Sequence, residues 1–517
     1  MRGTPRSGAG ATAYVVDTAG GRVRGAEIRD GVLGWRGIPY AAPPVGSLRL
    51  RPPRRPEAWS GVREATEYGA PAPQPPMFLP AVTADPLSAD TPALPEPSED
   101  CLYLNVTAPA GAEGRPVLLW IHGGGYQVGT GTDLAGDGAV LARAHGVVVV
   151  TFNYRLGALG FLALDGEEHT GSYGLHDQIA ALRWVRENIA GFGGDPDRIT
   201  LYGLSAGAKS VANLLASPVT RGMIHRAVSS SGGADHVADR AQDAALTRRF
   251  LRVLGAGAAD GIRRVPAEEI LGAQNAVGEG VRASWLWRPS IDGLALTRRP
   301  LDALAAGAAA GVPLLAQTCV NECALYQLLA PDAAERADRV LEEYFGAAER
   351  DRILAVYAEH PSEPAGDPLQ LRVDLMTDER YGIPTTRLAD AQCAHAPVWR
   401  SRYDVPLTGL LPGVAPDGTL PAIHGTDGNA MWLGGPGVNG LLHEAFGAFV
   451  NAGVPTTEGL SDWPAYTTGR RATMVFGPTG PRSVDDPRGG RRAAWHGREW
   501  QSGTWWSLDD LATGLHG

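Results

Sequence analysis

The 517-residue chain has a single lysine, Lys209, among its 46 basic residues. The other basic residues are arginine, a bias that reflects codon composition more than function. Basic residues are outnumbered by 56 acidic ones, for a net charge of −10. No basic stripe is present, so a nucleic-acid partner is excluded. Long apolar runs are also missing. Val117–Ile121 and Val147–Val150 fall far short of the ~18 residues of a bilayer span, and no membrane partner is expected. The opening MRGTPRSGAGATAYVV carries charge but no apolar centre, so it does not read as a signal peptide. Four cysteines (Cys101, Cys319, Cys323 and Cys393) are too few for a disulfide framework in so long a chain. A cytoplasmic protein with reduced thiols is expected. Glycine (68) and proline (40) together stay below the roughly 25–30% that marks low-complexity chains. With 44% hydrophobic and 20% charged residues, the composition is that of a loop-rich globular protein.

Length alone, at ~150 residues per domain, would suggest about three domains. The order of elements argues otherwise. Residues 1–12 are Gly/Ser/Arg-rich and read as a flexible N-terminus. Residues 70–98 are Pro-rich and cannot form a regular element. Strand-like segments on both sides make this stretch a surface loop of one unit, not a linker. From residue 101 onward, LYLNVTAP, PVLLWIHGG, GVVVVTFNYR and RITLYGLS are β-branched-rich runs of strand length. Helical stretches at 138–144 and 175–192 separate the later ones. In the second, Leu175, Ile179, Leu182, Val185 and Ile189 recur at helical spacing. Strand–helix–strand alternation predicts an α/β fold with a mostly parallel central sheet. One domain is expected over 13–510, with long loop and helical insertions.

Two glycine-rich segments carry the chemistry. Gly203-Leu204-Ser205-Ala206-Gly207 follows a strand and precedes the helix-like KSVANLLAS. Small residues permit a strand-to-helix turn too tight for Cβ atoms, which presents the serine at a helix N-terminus. About 80 residues upstream, Trp120-Ile121-His122-Gly123-Gly124-Gly125 ends an apolar strand. Consecutive glycines let backbone N–H groups converge on one point, as an oxyanion hole requires. Either segment alone is a weak signal, because an ordinary Gly-rich turn looks the same. In this order and at these strand ends they point to a serine hydrolase.

These segments resemble the type-B carboxylesterases, the family that includes para-nitrobenzyl esterases and cholinesterases. The resemblance extends from about Gly21 to about Phe476. Residues 192–207 fit its active-site signature, and Glu99-Asp100-Cys101-Leu102-Tyr103-Leu104-Asn105 fits its second signature. RGIPYAAPPVGSLRL, FNYRLGALGFL, GLHDQIAALRWVRENI, PSIDG at 289–293 and TDERYGIP at 377–384 are also similar. The resemblance implies an α/β-hydrolase fold and a Ser-Glu-His triad in that chain order. It places the serine at Ser205. VPLLAQTCVNEC matches the glutamate segment and implies Glu322. His424-Gly425-Thr426-Asp427 matches the histidine segment and implies His424. The oxyanion donors implied are the N–H groups of Gly124, Gly125 and Ala206. Structural ion pairs are implied for Arg49 with Glu99 and for Arg155 with Asp177.

The chain departs from the family at several positions. Leu204 stands where a glutamate is usual, which makes the pocket less anionic and disfavours a cationic, choline-like substrate. Ala72 stands where a family cysteine often pairs with the one equivalent to Cys101, so that pairing is lost. Cys323 replaces the usual glycine after the triad glutamate; Cys319 and Cys323, without further ligands, read as buried small residues and not as a metal pair. Trp285 and Tyr126 are the candidate substrate-pocket residues, Trp285 as a wall of the acyl side, with Trp287 at a core position. The expected function is hydrolysis of a small-molecule carboxylic ester through an acyl-enzyme, with no metal or cofactor. Two alternatives stand beside it: acyl transfer on the same machinery (a thioesterase, lactonase or biosynthetic acyltransferase) and a non-catalytic binding protein. Monomer and dimer are equally compatible with the sequence.

Overall fold

A computed structural model describes residues 14–76, 95–132, 138–164, 171–255, 259–278, 286–329, 338, 341–362, 367–408, 419–460 and 462–500. The N-terminal residues 1–12, most of the Pro-rich stretch, the last part of the expected 13–510 domain and Trp285 lie outside them.

Eleven strands form one sheet. In chain order they are β1 (Ala26–Arg29), β2 (Val32–Pro39), β3 (Tyr103–Pro109), β4 (Arg115–Ile121), β5 (Val148–Phe152) and β6 (Gly194–Leu204). They continue with β7 (Arg226–Ser230), β8 (Leu314–Cys319), β9 (Val398–Tyr403), β10 (Ala472–Gly477) and β11 (Gly480–Asp485). Across the sheet the order is β11-β10-β9-β8-β7-β6-β4-β5-β3-β2-β1. The seven strands from β10 to β5 run parallel. The flanking strands are antiparallel. Parallel strands need both faces covered, which is why the central runs are continuously apolar. All five residues of β5 are buried. Alternation then sends successive side chains to opposite cores. Val117, Leu119 and Ile121 of β4 enter one cluster, while Leu118 and Trp120 enter the other.

Helices cover the two faces. Helix α1 (Tyr173–Asn188) buries Leu175, Ile179, Leu182 and Val185, and Ile189 follows in a 3₁₀ turn. This is the stripe read from the sequence. Helix α2 (Ala206–Ala216) follows β6 and is buried along its whole length. Helix α3 (Pro368–Thr377) runs through a π-helical turn at Asp378–Gly382 into α4 (Ile383–Gln392). On the opposite face, α5 (Thr426–Leu433) and α6 (Val438–Ala452) bring Met431, Trp432, Phe446 and Phe449 against Tyr202 and Trp120.

The described ends of the Pro-rich stretch are tied down. Ser98 N–H donates to Pro71 O at 2.9 Å. The Gln74 side chain accepts from Gly129 N–H at 2.7 Å and donates to Gly129 O at 3.1 Å. The chain therefore leaves and rejoins at one place, beside the strands β2 and β3 that pair across it. Two arginine–carboxylate pairs fix the surrounding loops. Arg155 Nε and Nη2 donate to Asp177 at 2.8 and 2.7 Å. Arg49 Nε donates to Glu99 at 2.7 Å, and its Nη1 reaches the carbonyls of Ile262 and Val265. Both pairs are those implied by the family resemblance. Their role is geometric, since removing one partner would strand a buried charge.

Candidate active site

The turn between β6 and α2 is forced by close packing. A Cβ at Gly203 would sit 2.2 Å from the backbone of Gly207, and one at Gly207 would sit 2.0 Å from Ile121 O. No side chain fits at either place. Ser205, the residue at the apex, has φ 59° and ψ −120°. That positive φ is unusual for a side-chain-bearing residue and is held by its surroundings. Its own N–H is used up, donating to Ser230 O at 2.9 Å. Its carbonyl accepts the first helical bond of α2, from Lys209 N–H at 3.0 Å. The N–H of Ala206, at the first position of the helix, belongs to the group that a helix leaves without an internal partner. Gly203→Ala is accordingly expected to destabilise the protein by about 1–3 kcal/mol through overpacking. Denaturant titration of the purified variant would show this; an unchanged midpoint would mean that the turn has more room than its backbone contacts indicate.

The glycine loop after β4 lies against this turn. A Cβ at Gly123 would be 3.2 Å from Ser205 Cβ and 2.9 Å from Leu204 O. Three consecutive residues follow with positive φ: Gly124 at 98°, Gly125 at 63° and Tyr126 at 61°. Gln127 and Val128 N–H both return to Gly124 O. His122 anchors the loop. Its ring stacks on Tyr154 with 4.3 Å between centroids, and Nδ1–H donates to Gly123 O at 3.0 Å. Burial pushes the His122 pKa down to about 4, so the ring is neutral at ordinary pH.

Glu322 and His424 meet across two loops. His424 Nδ1 lies 2.7 Å from Glu322 Oε2, and His424 N–H donates to Glu322 O at 3.3 Å. Glu322 is wholly buried. Its second oxygen, Oε1, accepts from Ser231 Oγ at 2.6 Å and from Cys319 N–H at 2.7 Å. Three donors therefore hold the carboxylate. Ser231 is itself at φ 55° and adjoins Ser230, whose carbonyl takes the Ser205 N–H. Behind the glutamate, Asp427 accepts from Gln317 Nε2 at 2.7 Å. Burial raises the Asp427 pKa, and the Glu322 charge adds to the rise. The far face of the imidazole stacks on Tyr381, with 4.5 Å between centroids and 27° between planes. Tyr381 projects from the π-helical turn, a type of irregularity common at functional sites. Leu204 reaches the residue after the histidine: its Cδ2 is 3.5 Å from where a Cβ on Gly425 would be. An apolar group thus occupies the place beside the histidine where the family usually has a carboxylate.

The expected residues thus occupy one neighbourhood: Ser205 at the turn, Gly124 and Gly125 on the loop against it, Ala206 opening the helix, and Glu322 bonded to His424. Tyr126, expected at the substrate pocket, has no exposed surface. Its ring packs against Phe161 at 5.0 Å and lies parallel to His236 at 6.2 Å, and its hydroxyl accepts from Ser210 Oγ at 3.2 Å. Trp287 is fully buried edge-on to Phe250, the core position expected for it. Cys101, Cys319 and Cys323 are buried free thiols, and Cys393 is a half-buried one. Sequence reasoning missed Ser231 and Tyr381. Ser231 lay in a run of three serines without any periodic signal. Tyr381 lay inside the TDERYGIP landmark, but its contact with His424 depends on the π-helical turn.

The family model described as the carboxylesterase family matches residues 12–488. The chain belongs to the carboxylesterase family. Para-nitrobenzyl esterase of Bacillus subtilis (strain 168) is 37% identical over 485 residues, 90% of this chain and 95% of that one. Phenmedipham hydrolase of Pseudarthrobacter oxydans is 33% identical over 506 residues, 92% and 97% of the two chains. A solved PNB esterase superposes with a TM-score of 0.80 at 35% identity, covering 93% of this chain and all of that one. The fold is the α/β-hydrolase fold, and the chain is a carboxylic-ester hydrolase of the serine type. Among the described residues no helix is long and apolar enough to cross a membrane.

Proposed function

We propose that the family's activity is carried in this chain by Ser205, His424 and Glu322, acting on small neutral carboxylic esters. The observation that supports this most is the 2.7 Å contact of His424 with the buried Glu322, whose Oε1 accepts from Ser231, the neighbour of Ser230, which takes the N–H of the positive-φ Ser205. A hydroxyl is a poor nucleophile until a base takes its proton. His424 Nε2 accepts that proton as Ser205 Oγ attacks the ester carbonyl. The carbonyl oxygen becomes an oxyanion, stabilised by the N–H groups of Gly124, Gly125 and Ala206. The imidazolium then gives its proton to the departing alcohol, leaving the acyl-enzyme. Water, deprotonated by the same imidazole, releases the acid. Glu322 orients the imidazole and stabilises its charged form. No cofactor takes part in this sequence. The apolar Leu204 beside His424 favours a neutral leaving alcohol over a cationic one. Free cysteines fit a reducing, cytoplasmic setting.

The test is turnover of a para-nitrobenzyl or para-nitrophenyl ester, with and without a competing alcohol. Free acid as the main product supports hydrolysis. Predominant transfer to the alcohol at low concentration would favour the acyltransferase reading instead. Turnover is also expected to fall on the acid side, because an imidazolium cannot accept the Ser205 proton. His122 cannot be the source of that limb, since burial holds its pKa near 4. The measurement is kcat/KM against pH; a rate that does not fall as the pH is lowered would rule out a histidine base.

A further inference from the structure

Away from the reaction centre, the sheet buries a cluster of arginines on one face. Alternation along β9 sends Val398, Arg400 and Arg402 to one side, with Trp399, Ser401 and Tyr403 to the other. Parallel register sets Thr318 of β8 beside Arg402. Helix α4 and the segment around Asp486–Arg492 cover this face. Together they line a partly open cavity of about 60 Å³, walled by Arg400, Arg402, Arg471, Arg488 and Arg492, with Thr386 from α4. That is room for a few waters or one small ion.

Four of the five arginines have a carboxylate. Arg402 Nη2 is 2.6 Å from Asp404 and Arg492 Nη2 is 2.7 Å from Asp486. Arg471 is 3.3 Å from Asp390, and Arg488 is 3.3 Å from Asp378. Arg400 is the exception. It is 8% exposed. Among the described residues its guanidinium makes no ion pair within 4.0 Å, and its Nη1 is buried without a hydrogen-bond partner. The two carboxylates whose fields act on it, Asp390 and Asp486, are already engaged: Asp390 by Tyr466 Oη–H at 2.7 Å and by Arg471, and Asp486 by Arg492. A guanidinium cannot escape burial by giving up its proton. A buried cation with no counter-charge is among the costliest arrangements a fold can hold.

We propose that this cavity is a binding site for one small inorganic anion of the phosphate or chloride type, held by Arg400. The anion completes the charge balance of the cluster. Five guanidinium groups face four carboxylates, and one negative charge is wanted. It also accepts from Arg400 Nη1, which, like Arg471 Nε, is buried without a hydrogen-bond partner among the described residues. The site is structural. Its walls include Cys319, whose N–H holds Glu322, and Asp378, which opens the turn carrying Tyr381. Arg488 closes the other side by donating to Val320 O at 2.7 Å. Anion binding therefore braces the backbone behind Glu322 without touching the reacting groups. The inference does not depend on the triad assignment.

The experiment is calorimetric titration of the full chain with phosphate, and separately with chloride, at constant ionic strength set by a bulky organic salt. One saturable site for either anion is expected, with a matching rise in Tm. Arg400→Gln should weaken that binding by about tenfold or more, as expected for a lost charge-assisted contact. Thr386→Leu, which keeps the charge but fills the cavity, should do the same and serves if Arg400→Gln does not fold. Absence of saturable binding of both anions overturns the proposal. So does binding that is unchanged in Thr386→Leu, or in a folded Arg400→Gln.

Discussion

Ser205→Ala is expected to lower kcat for any carboxylic ester by about 10⁴-fold or more, with the fold intact. The variant loses one oxygen atom and nothing else. That oxygen is the group proposed to form the acyl intermediate. It caps no helix, since no side-chain hydrogen bond from Ser205 closes the N-terminus of α2. Alanine can take up the same φ of 59° at a cost similar to serine's, because the restriction comes from Cβ, which both have. Stability should therefore stay within about 1 kcal/mol. The readouts are steady-state turnover, the burst of alcohol from the first acylation, and a denaturant curve. Turnover and burst should vanish together while the curve stays in place. His424→Ala should show the same loss of turnover. Retention of more than a few per cent of activity by folded Ser205→Ala would remove the serine from the mechanism.

The turn and the glycine loop were readable in the sequence because their geometry excludes side chains. Gly203, Gly207 and Gly124 each lie where a Cβ would sit about 2 Å from backbone, so local composition and local structure carry the same information. The strands β4, β5 and β6 were readable for a similar reason: burial on both faces demands continuous apolar runs. Glu322 and His424 were different. Each is a single polar residue in a loop, and nothing local separates it from a solvated charge. The pairing is made by topology, which sets β8 next to β7 and brings the chain around residue 422 back to Asn321. Only the resemblance to a family located them in advance. Ser231 and Arg400 had no such guide, and the TDERYGIP landmark contains Tyr381 without marking its contact with His424. Ser231 and Tyr381 owe their roles to a positive φ and a π-helical turn, features that do not follow from residue type. Arg400 reads in VWRSRY as one of two alternating arginines facing the same way; that Arg402 has a carboxylate beside it and Arg400 has none became visible only in three dimensions.

Glu322→Gln is expected to cost about 10⁴-fold in kcat, comparable to the loss when the orienting carboxylate of a serine protease triad becomes an amide. The reason lies in the donors around the carboxylate. Oε1 receives a fixed backbone N–H from Cys319 at 2.7 Å, together with the Ser231 hydroxyl at 2.6 Å. An amide must put its oxygen there, because its NH₂ group would clash donor to donor with Cys319 N–H. The NH₂ is then left facing His424 Nδ1, now 2.7 Å from Oε2. To accept that hydrogen bond, Nδ1 must give up its proton. The neutral ring then carries its proton on Nε2, the nitrogen that should be taking one from Ser205. The proposed nucleophile and oxyanion donors remain in place, but the proposed base has the wrong tautomer. Substrate binding does not involve this tautomer, so KM should change far less than kcat. The fold should survive, since the amide has the size of the carboxylate and keeps its contacts with Cys319 and Ser231. Asp427 offers a second readout. The Glu322 charge contributes to the raised proton affinity of Asp427, so neutralising Glu322 should lower the pH at which Asp427 titrates. A Glu322→Gln protein that folds and keeps kcat within about tenfold of the parent would show that the glutamate is not the orienting group.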